Sequence, residues 1–430
     1  MSRILFLSII IYTLIILALA SVNGILLGLV LPVLLYLGAG LAFGSEEVKL
    51  SIEREIGQDR ALPGVPVDII VRITNLGNRL ESLLLFDQPP NGLVLVDGET
   101  SLMTSLGAGE SAELVYTIQA KRGYYRFREV IVETADHLGI RQKTVSLNAG
   151  GRIFVQPVVK PLGRVNIRPR GTRVYSGYIP ARKGGAGVEF FGVREYQQGD
   201  PLRWINWRAS ARHRNSLYIN EFEQERVADV SIILDTRRRS EVKVDGGNSL
   251  FECSVQAAAA LAESFLSDGN RVGLLQYGTQ LDWTIPGYGK IQRERILQSL
   301  ARSKPGASMI FEKLENLPKR LLPSNSQLVF ISPLHDDDVD VLIQLRARGY
   351  ALLVISPDPI IFEMEGHDSQ DETDALASRL ARIERSLMLH KLRQAGMQVL
   401  DWDVNTPLDG ALHVTLSRPV PQVHSIEVLQ

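Results

Sequence analysis

Two apolar runs, Ile4–Ala20 and Ile25–Phe43, open the chain with almost no polar interruption. As helices, each is about long enough to span a hydrocarbon core, the first marginally. Ser21-Val22-Asn23-Gly24 between them is a short uncharged turn. The pattern therefore predicts a transmembrane helical hairpin over residues 1–44. Arg3 precedes the first run, and Lys49 and Arg54 follow the second. The positive-inside rule then expects a two-pass protein of the cell membrane, touching lipid through residues 4–43, with its soluble domains cytoplasmic. Ala18-Leu19-Ala20 also has the small residues of a signal-peptide cleavage site, but the second run would still anchor the product.

From Glu47 to about Pro161 the period changes to two. Val65–Ile73 is the clearest strand, stopped by the turn Asn75-Leu76-Gly77-Asn78. Further strands fit Leu83–Phe86, Leu93–Val96, Ala112–Gln119, Tyr124–Glu133 and Arg152–Gln156, which predicts an immunoglobulin-like β-sandwich over 45–160. From Ala228 strands and helices alternate. Val230–Asp235 is a buried strand, and Asn248 or Ser249 caps a helix running to Leu266. Later strands at 271–277, 280–285, 327–332, 351–356 and 398–402 complete a Rossmann-like open sheet over 229–430, with helices on both faces. A long helix from about Thr373 to Gln394 shows a stripe at Leu376, Leu380, Ile383 and Leu387, expected in the core. Arg379, Arg382 and Arg385 mark its wet side. Before it, Glu363, Glu365, Asp368, Asp371, Glu372 and Asp374 surround His367 in an acidic loop, expected to be solvated.

The 430 residues suffice for two or three domains, and a net charge of −1 gives no global attraction to polyanions. Cys253 is the one cysteine, which excludes an internal disulfide and the usual cysteine-based zinc sites. Charge is nevertheless uneven: residues 160–226 carry thirteen Lys or Arg against six Asp or Glu. Lys183-Gly184-Gly185-Ala186-Gly187 reads as a flexible loop without P-loop spacing. The arginines alternate with carboxylates instead of forming a clean basic face, so no nucleic-acid partner is expected.

Within the interdomain segment 161–228, Arg194, Arg203, Arg208 and Arg212 alternate with Glu189, Glu195, Asp200 and Glu221 around Trp204 and Trp207. Asp200-Pro201 has the form of a helix start, after which Trp204, Trp207 and Ala211 would share one face. The run GVEFFGVREYQQGDPLRWINWRASAR, closing with NEFEQER, resembles the signature of the bacterial and archaeal proteins called domain of unknown function 58. The resemblance implies a membrane hairpin, a β-rich domain, the signature and a von Willebrand factor A-like α/β domain. It also implies association with a MoxR-type AAA+ ATPase and with transglutaminase-like membrane proteins, but no settled reaction. The signature residues are expected either to dock a partner or to clamp domains together.

A functional von Willebrand A site holds a divalent cation through Asp-x-Ser-x-Ser, a distant threonine and a later aspartate. Here Asp235-Thr236-Arg237-Arg238-Arg239 puts arginines at both serine positions, and Pro333 follows Ser332 where the later aspartate would fall. Cationic side chains there would repel a metal ion, so Asp235, Thr236 and Ser332 read as a degenerate site, with no cofactor expected. His335 with Asp336, Asp337 and Asp338 could supply rearranged ligands or simply cap a helix. The expected function is a membrane-anchored, non-catalytic adapter that docks the ATPase for assembly or chaperone-like work at the cell envelope. The alternatives are a metal-dependent hydrolase of envelope metabolism using Asp235 and Asp336–Asp338, and a sensor binding a small anion at Arg237–Arg239.

Overall fold

The structure is a computed structural model that describes residues 3–22, 24–42, 48–135, 142–165, 167, 173–212, 216–244, 249–278, 281–306, 312–324, 326–364 and 372–417. Two compact units divide the chain, residues 1–156 and 157–430. Of the expected acidic loop, Glu365, His367, Asp368 and Asp371 lie outside the described residues.

The two apolar runs fold as α1 (Arg3–Ser21) and α2 (Gly24–Ala42), packed on each other. The expected transmembrane hairpin is corrected here: among the described residues no helix is long and apolar enough to cross a membrane. Each helix has 19 residues. At helical rise that reaches about 28 Å, short of a hydrocarbon core of ~30 Å. α1 begins on Arg3, and Pro32 removes a backbone donor inside α2. The two-pass placement in the cell membrane, the cytoplasmic assignment and the lipid contact through residues 4–43 lose their basis with it.

The rest of this unit is two facing sheets. Its strands are β1 (Leu50–Ile56), β2 (Arg60–Ala61), β3 (Val67–Asn75), β4 (Leu80–Asp87), β5 (Leu93–Gly98), β6 (Ser101–Leu106), β7 (Ser111–Ala120), β8 (Gly123–Ala135) and β9 (Gln142–Val155). One sheet has the order β1-β3-β7-β5, the other β2-β9-β8-β4-β6. Alternation decides which side chains go inside: Val67, Ile69, Val71 and Ile73 are buried, while Asp68 and Arg72 point out. Across the core, Arg54 of β1 pairs with Asp87 of β4 at 2.6 Å, both side chains fully buried. Asp87 also accepts the Tyr116 hydroxyl of β7 at 2.7 Å. Burial, then the neighbouring Asp87 carboxylate, pushes the Tyr116 phenol well above its ordinary pKa. This triad ties one sheet to the other.

The second unit begins with the hairpin β10 (Arg173–Glu195) and β11 (Tyr218–Val227), enclosing the short helix α3 (Trp207–Ser210). There follow β12 (Asp229–Asp235), α4 (Leu250–Ser267), β13 (Arg271–Tyr277), β14 (Asp282–Gly287), α5 (Gly289–Arg302), β15 (Gln327–Ile331) and α6 (Asp336–Ala347). The chain continues through β16 (Ala351–Pro357), α7 (Pro359–Met364), α8 (Glu372–Gln394), β17 (Gln398–Trp402) and α9 (Leu408–Ser417). The sheet order is β14-β13-β12-β15-β16-β17, parallel except for the edge strand β14. β12 is buried along its whole length, as a central strand covered on both faces must be. Its even positions, Val230, Ile232 and Leu234, belong to one core with residues of α4, α5 and α9, whereas Ile233 belongs to the other, with residues of α6 and α8.

Two expectations fail in this unit. The glycine run 184–187 is not a loop: Gly184 and Gly185 pair with Glu223 and Phe222 inside β10, and register shifts absorb the irregularity. On α8 Arg379 and Arg382 are exposed as expected, but the apolar stripe and Arg385 are not where they were expected. Leu376, Leu380, Ile383 and Leu387 are exposed, while Arg385 is only 7% exposed. Met388, Leu389 and Leu392 pack on the sheet in place of the expected stripe.

Candidate functional site

Open α/β sheets take ligands in the crevice at the carboxyl ends of their strands, where the strand order reverses. Here that point lies between β12 and β15. Asp235 ends β12, and Ser332 follows β15. Between them sits the guanidinium of Arg237, 1% exposed. Its Nε and Nη2 donate to Asp235 at 2.9 and 2.7 Å. Nη1 and Nη2 donate to Asp338 at 2.9 and 2.7 Å. Nη1 also reaches the Glu312 carbonyl at 3.2 Å, and the planar group lies 5.0 Å from the Tyr277 ring centroid. Burial opposes the charge, but the hydrogen bonds Arg237 donates to Asp235 and Asp338 prevail and hold its pKa above the ordinary value.

The shell around this fork is closed. Ser240 and Ser332 each donate to Asp235 Oδ2 at 2.7 Å, and Thr236 donates to the Tyr277 carbonyl at 2.9 Å. Ser332 accepts from the Leu334 amide at 3.0 Å, which helps hold Leu334 at φ +66°, a left-handed backbone unusual for leucine. Gly278 faces Thr236 so closely that a Cβ would fall 2.4 Å from the Thr236 carbonyl carbon. Asp338 does double duty as the third residue of α6, accepting the His335 amide at 3.0 Å in a capping box.

The carboxylates named for a metal-dependent hydrolase thus converge only in part. Asp235 and Asp338 meet, but around Arg237. Asp337 turns outward to Arg239 at 2.8 Å. Burial works against its charge, yet Arg239 keeps the Asp337 carboxyl below its ordinary pKa. Among the described residues no three His, Cys, Asp or Glu are grouped to hold a metal ion. The small-anion reading fits no better, since Arg237 is buried and forked and Arg239 is paired. Cys253 is half-buried, and burial raises its thiol pKa, away from thiolate reactivity.

His335 Nε2 lies 3.1 Å from Ser240 Oγ, and burial, then Arg239 and Arg237, lowers its pKa from 6.5. A depressed folded pKa means the unfolded chain takes up the proton more readily. The stability owed to neutral His335 is therefore present above about pH 6.5 and lost as pH falls through its lowered native pKa. Urea midpoints measured between pH 7.5 and 5 are expected to fall more steeply in the natural chain than in His335→Gln.

A second arginine closes the same edge. Arg385 Nη1 donates to the Pro333 carbonyl at 2.9 Å, and Nη2 reaches the Ser356 carbonyl at 3.1 Å and Asp401 at 2.6 Å. Its counter-charge also includes Asp358 at 3.7 Å. Sequence reasoning missed it. Arg385 sits one residue past Glu384 in a charged helix, with no local sign of partners at Pro333, Ser356 and Asp358 earlier in the chain and at Asp401 after it.

The signature residues form a different kind of surface. Arg194 forks onto Asp200 with two 2.8 Å bonds and approaches Glu221 at 3.4 Å. Asp200 also accepts the Gln197 amide, and the Arg194 and backbone bonds lower its pKa. Asp200 is therefore a hairpin brace, not a helix cap. The expected helix is broken: a 3₁₀ turn at Leu202–Trp204 gives way to extended Ile205, which bridges to Ile219, and α3 restarts under Asn206. Asn206 Oδ1 accepts from the Ala209 amide at 2.9 Å as its cap. Trp204 and Trp207 consequently share no helical face. Trp204 is half-buried beneath Arg203, 5.7 Å away, whereas Trp207 is 70% exposed. Arg208 and Arg212 are exposed and form no ion pair among the described residues. The Glu195 carboxylate accepts from the Tyr218 hydroxyl at 3.4 Å, and the Glu189 side chain is outside the described set.

A family model described as "Protein of unknown function DUF58" matches residues 192–358. The "Uncharacterized protein YeaD" of Bacillus subtilis (strain 168) is 32% identical over 160 residues, spanning 37% of this chain and 37% of that relative's length. Among solved structures, the CARDB domain of a Pyrococcus furiosus protein in complex with di-metal ions is similar, at 20% identity and a TM-score of 0.18. It covers 26% of this chain and 90% of that domain. The cupredoxin domain of amoB from Nitrosocaldus yellowstonii matches at 10% identity and a TM-score of 0.20, over 26% of this chain and 88% of that one. At such scores neither structure carries an argument about this molecule. Arg194 and Asp200, together with the strands around Arg237, lie within the stretch that matches this family model.

Proposed function

We propose that the chain is a docking scaffold whose signature hairpin receives a partner protein. The observation that carries this reading is Trp207, 70% exposed, beside Arg208 and Arg212, which form no ion pair among the described residues, on a hairpin braced by the Arg194–Asp200 fork. Exposed tryptophan and arginine on a fixed frame are the residue types that dominate interface energetics. By the resemblance, the first candidate partner is a MoxR-type AAA+ ATPase, which would supply nucleotide hydrolysis for assembly or chaperone-like work. Transglutaminase-like proteins are the second. In the same reading the α/β unit is of von Willebrand factor A type, supported by its strand order, with Arg237 standing where that fold places a cation. Two guanidinium groups then fill the sheet's ligand edge from within, which favours an adapter over an enzyme.

Capture of a purified MoxR-type ATPase, with and without ATP, tests the proposal. Arg208→Ala is expected to weaken capture by at least about tenfold while leaving the melting temperature unchanged. Loss of folding with Arg208→Ala would return the signature to an internal clamp.

A further inference from the structure

α8 has two apolar faces, and among the described residues one of them packs on the sheet while the other is exposed. Met388, Leu389 and Leu392, with Arg385, face the sheet. Leu376, Leu380, Ile383 and Leu387 lie on the opposite side of the helix, 68, 57, 57 and 57% exposed. A helix in a globular protein ordinarily shows one apolar stripe and one wet face. The outer stripe is also narrow. Its 4-3-4 spacing is that of a coiled-coil seam, with Leu380 and Leu387 at a, and Leu376 and Ile383 at d.

Charges beside the seam discriminate between occupants. Arg379 falls at g and Glu384 at e, both exposed and neither in an ion pair among the described residues. In a parallel pair of identical helices, the g residue of one faces the e residue five positions later in the other. Arg379 of one copy then meets Glu384 of the second, and symmetry repeats the contact. An antiparallel pair would instead bring g near g and e near e, setting arginine by arginine and glutamate by glutamate. We infer that α8 is a self-association element, along which a second copy of this chain packs its own α8 in parallel through Leu376, Leu380, Ile383 and Leu387. The seam is only about 17 Å long, so the association is concentration-dependent, with a dissociation constant on the order of micromolar.

Light scattering on the full chain between about 1 and 100 µM tests this, bracketing the expected constant. The expected mass rises to twice that of one chain. Leu380→Glu/Ile383→Glu should stay monomeric throughout with an unchanged melting temperature, because both side chains are exposed. Arg379→Glu should weaken association about tenfold, and Arg379→Glu/Glu384→Arg should restore it. In a Cys253→Ser background, Ile383→Cys should form a disulfide-linked dimer under mild oxidation, since parallel packing sets the two d positions side by side. A monomer at every concentration overturns the inference, as does a dimer indifferent to Leu380→Glu/Ile383→Glu. So does a charge exchange that fails to restore association, or a seam that captures only a foreign helix.

Discussion

Arg237→Met is expected to destabilise the α/β unit by about 3–5 kcal/mol, the scale for removing one partner of a buried ion pair. Asp235, Asp338 and Arg237 have side chains with no solvent exposure, so neither carboxylate can turn to water when the guanidinium is lost. Methionine keeps much of the volume, which isolates charge from cavity. Urea unfolding read by tryptophan fluorescence should show a midpoint lower by at least about 1 M. Removing the stranded charges as well, in Arg237→Met/Asp235→Asn/Asp338→Asn, should recover a large part of the loss. An unchanged midpoint in Arg237→Met would mean that the carboxylates find another counter-charge, and the site would have to be reconsidered as one that admits cations.

Arg385→Met is the second large effect expected, by a different route. The Arg385 guanidinium satisfies the carbonyls of Pro333, Ser356 and Pro357 and the Asp401 carboxylate at once. Leaving a buried acceptor unpaired costs about 1–3 kcal/mol, so several together should lower the melting temperature by roughly 6–15 °C in a unit of this size. Hydrogen exchange should localise the damage to α8 and β17, which the arginine joins. A uniform rise in exchange over the whole sheet would instead identify Arg385 as part of the global core.

These two arginines also mark how far local sequence pattern reaches. The strands read at Val65–Ile73 and Val230–Asp235 were legible because burial on one face or on two leaves a different periodicity in a single strand. Asp235-Thr236-Arg237 was legible as a substituted cation position, but the fold-back of Arg237 between Asp235 and Asp338 depends on a residue 101 positions away. On α8 both faces are apolar, and periodicity cannot say which one meets the sheet. The denser outer stripe was the natural choice, and it was wrong. At Asp200-Pro201 a sound local helix signal lost to a tertiary contact, the bridge of Ile205 to Ile219. The apolar runs at the start were read correctly as helices, but their length and interruptions fall short of a membrane span.

The Arg54–Asp87–Tyr116 triad has a mechanical consequence. Because its members come from β1, β4 and β7, peeling either layer away would strand a charge in the apolar interior. Opening is therefore all-or-none, and amides in β1 and β4 should exchange with deuterium at one common rate instead of fraying from the edge inward.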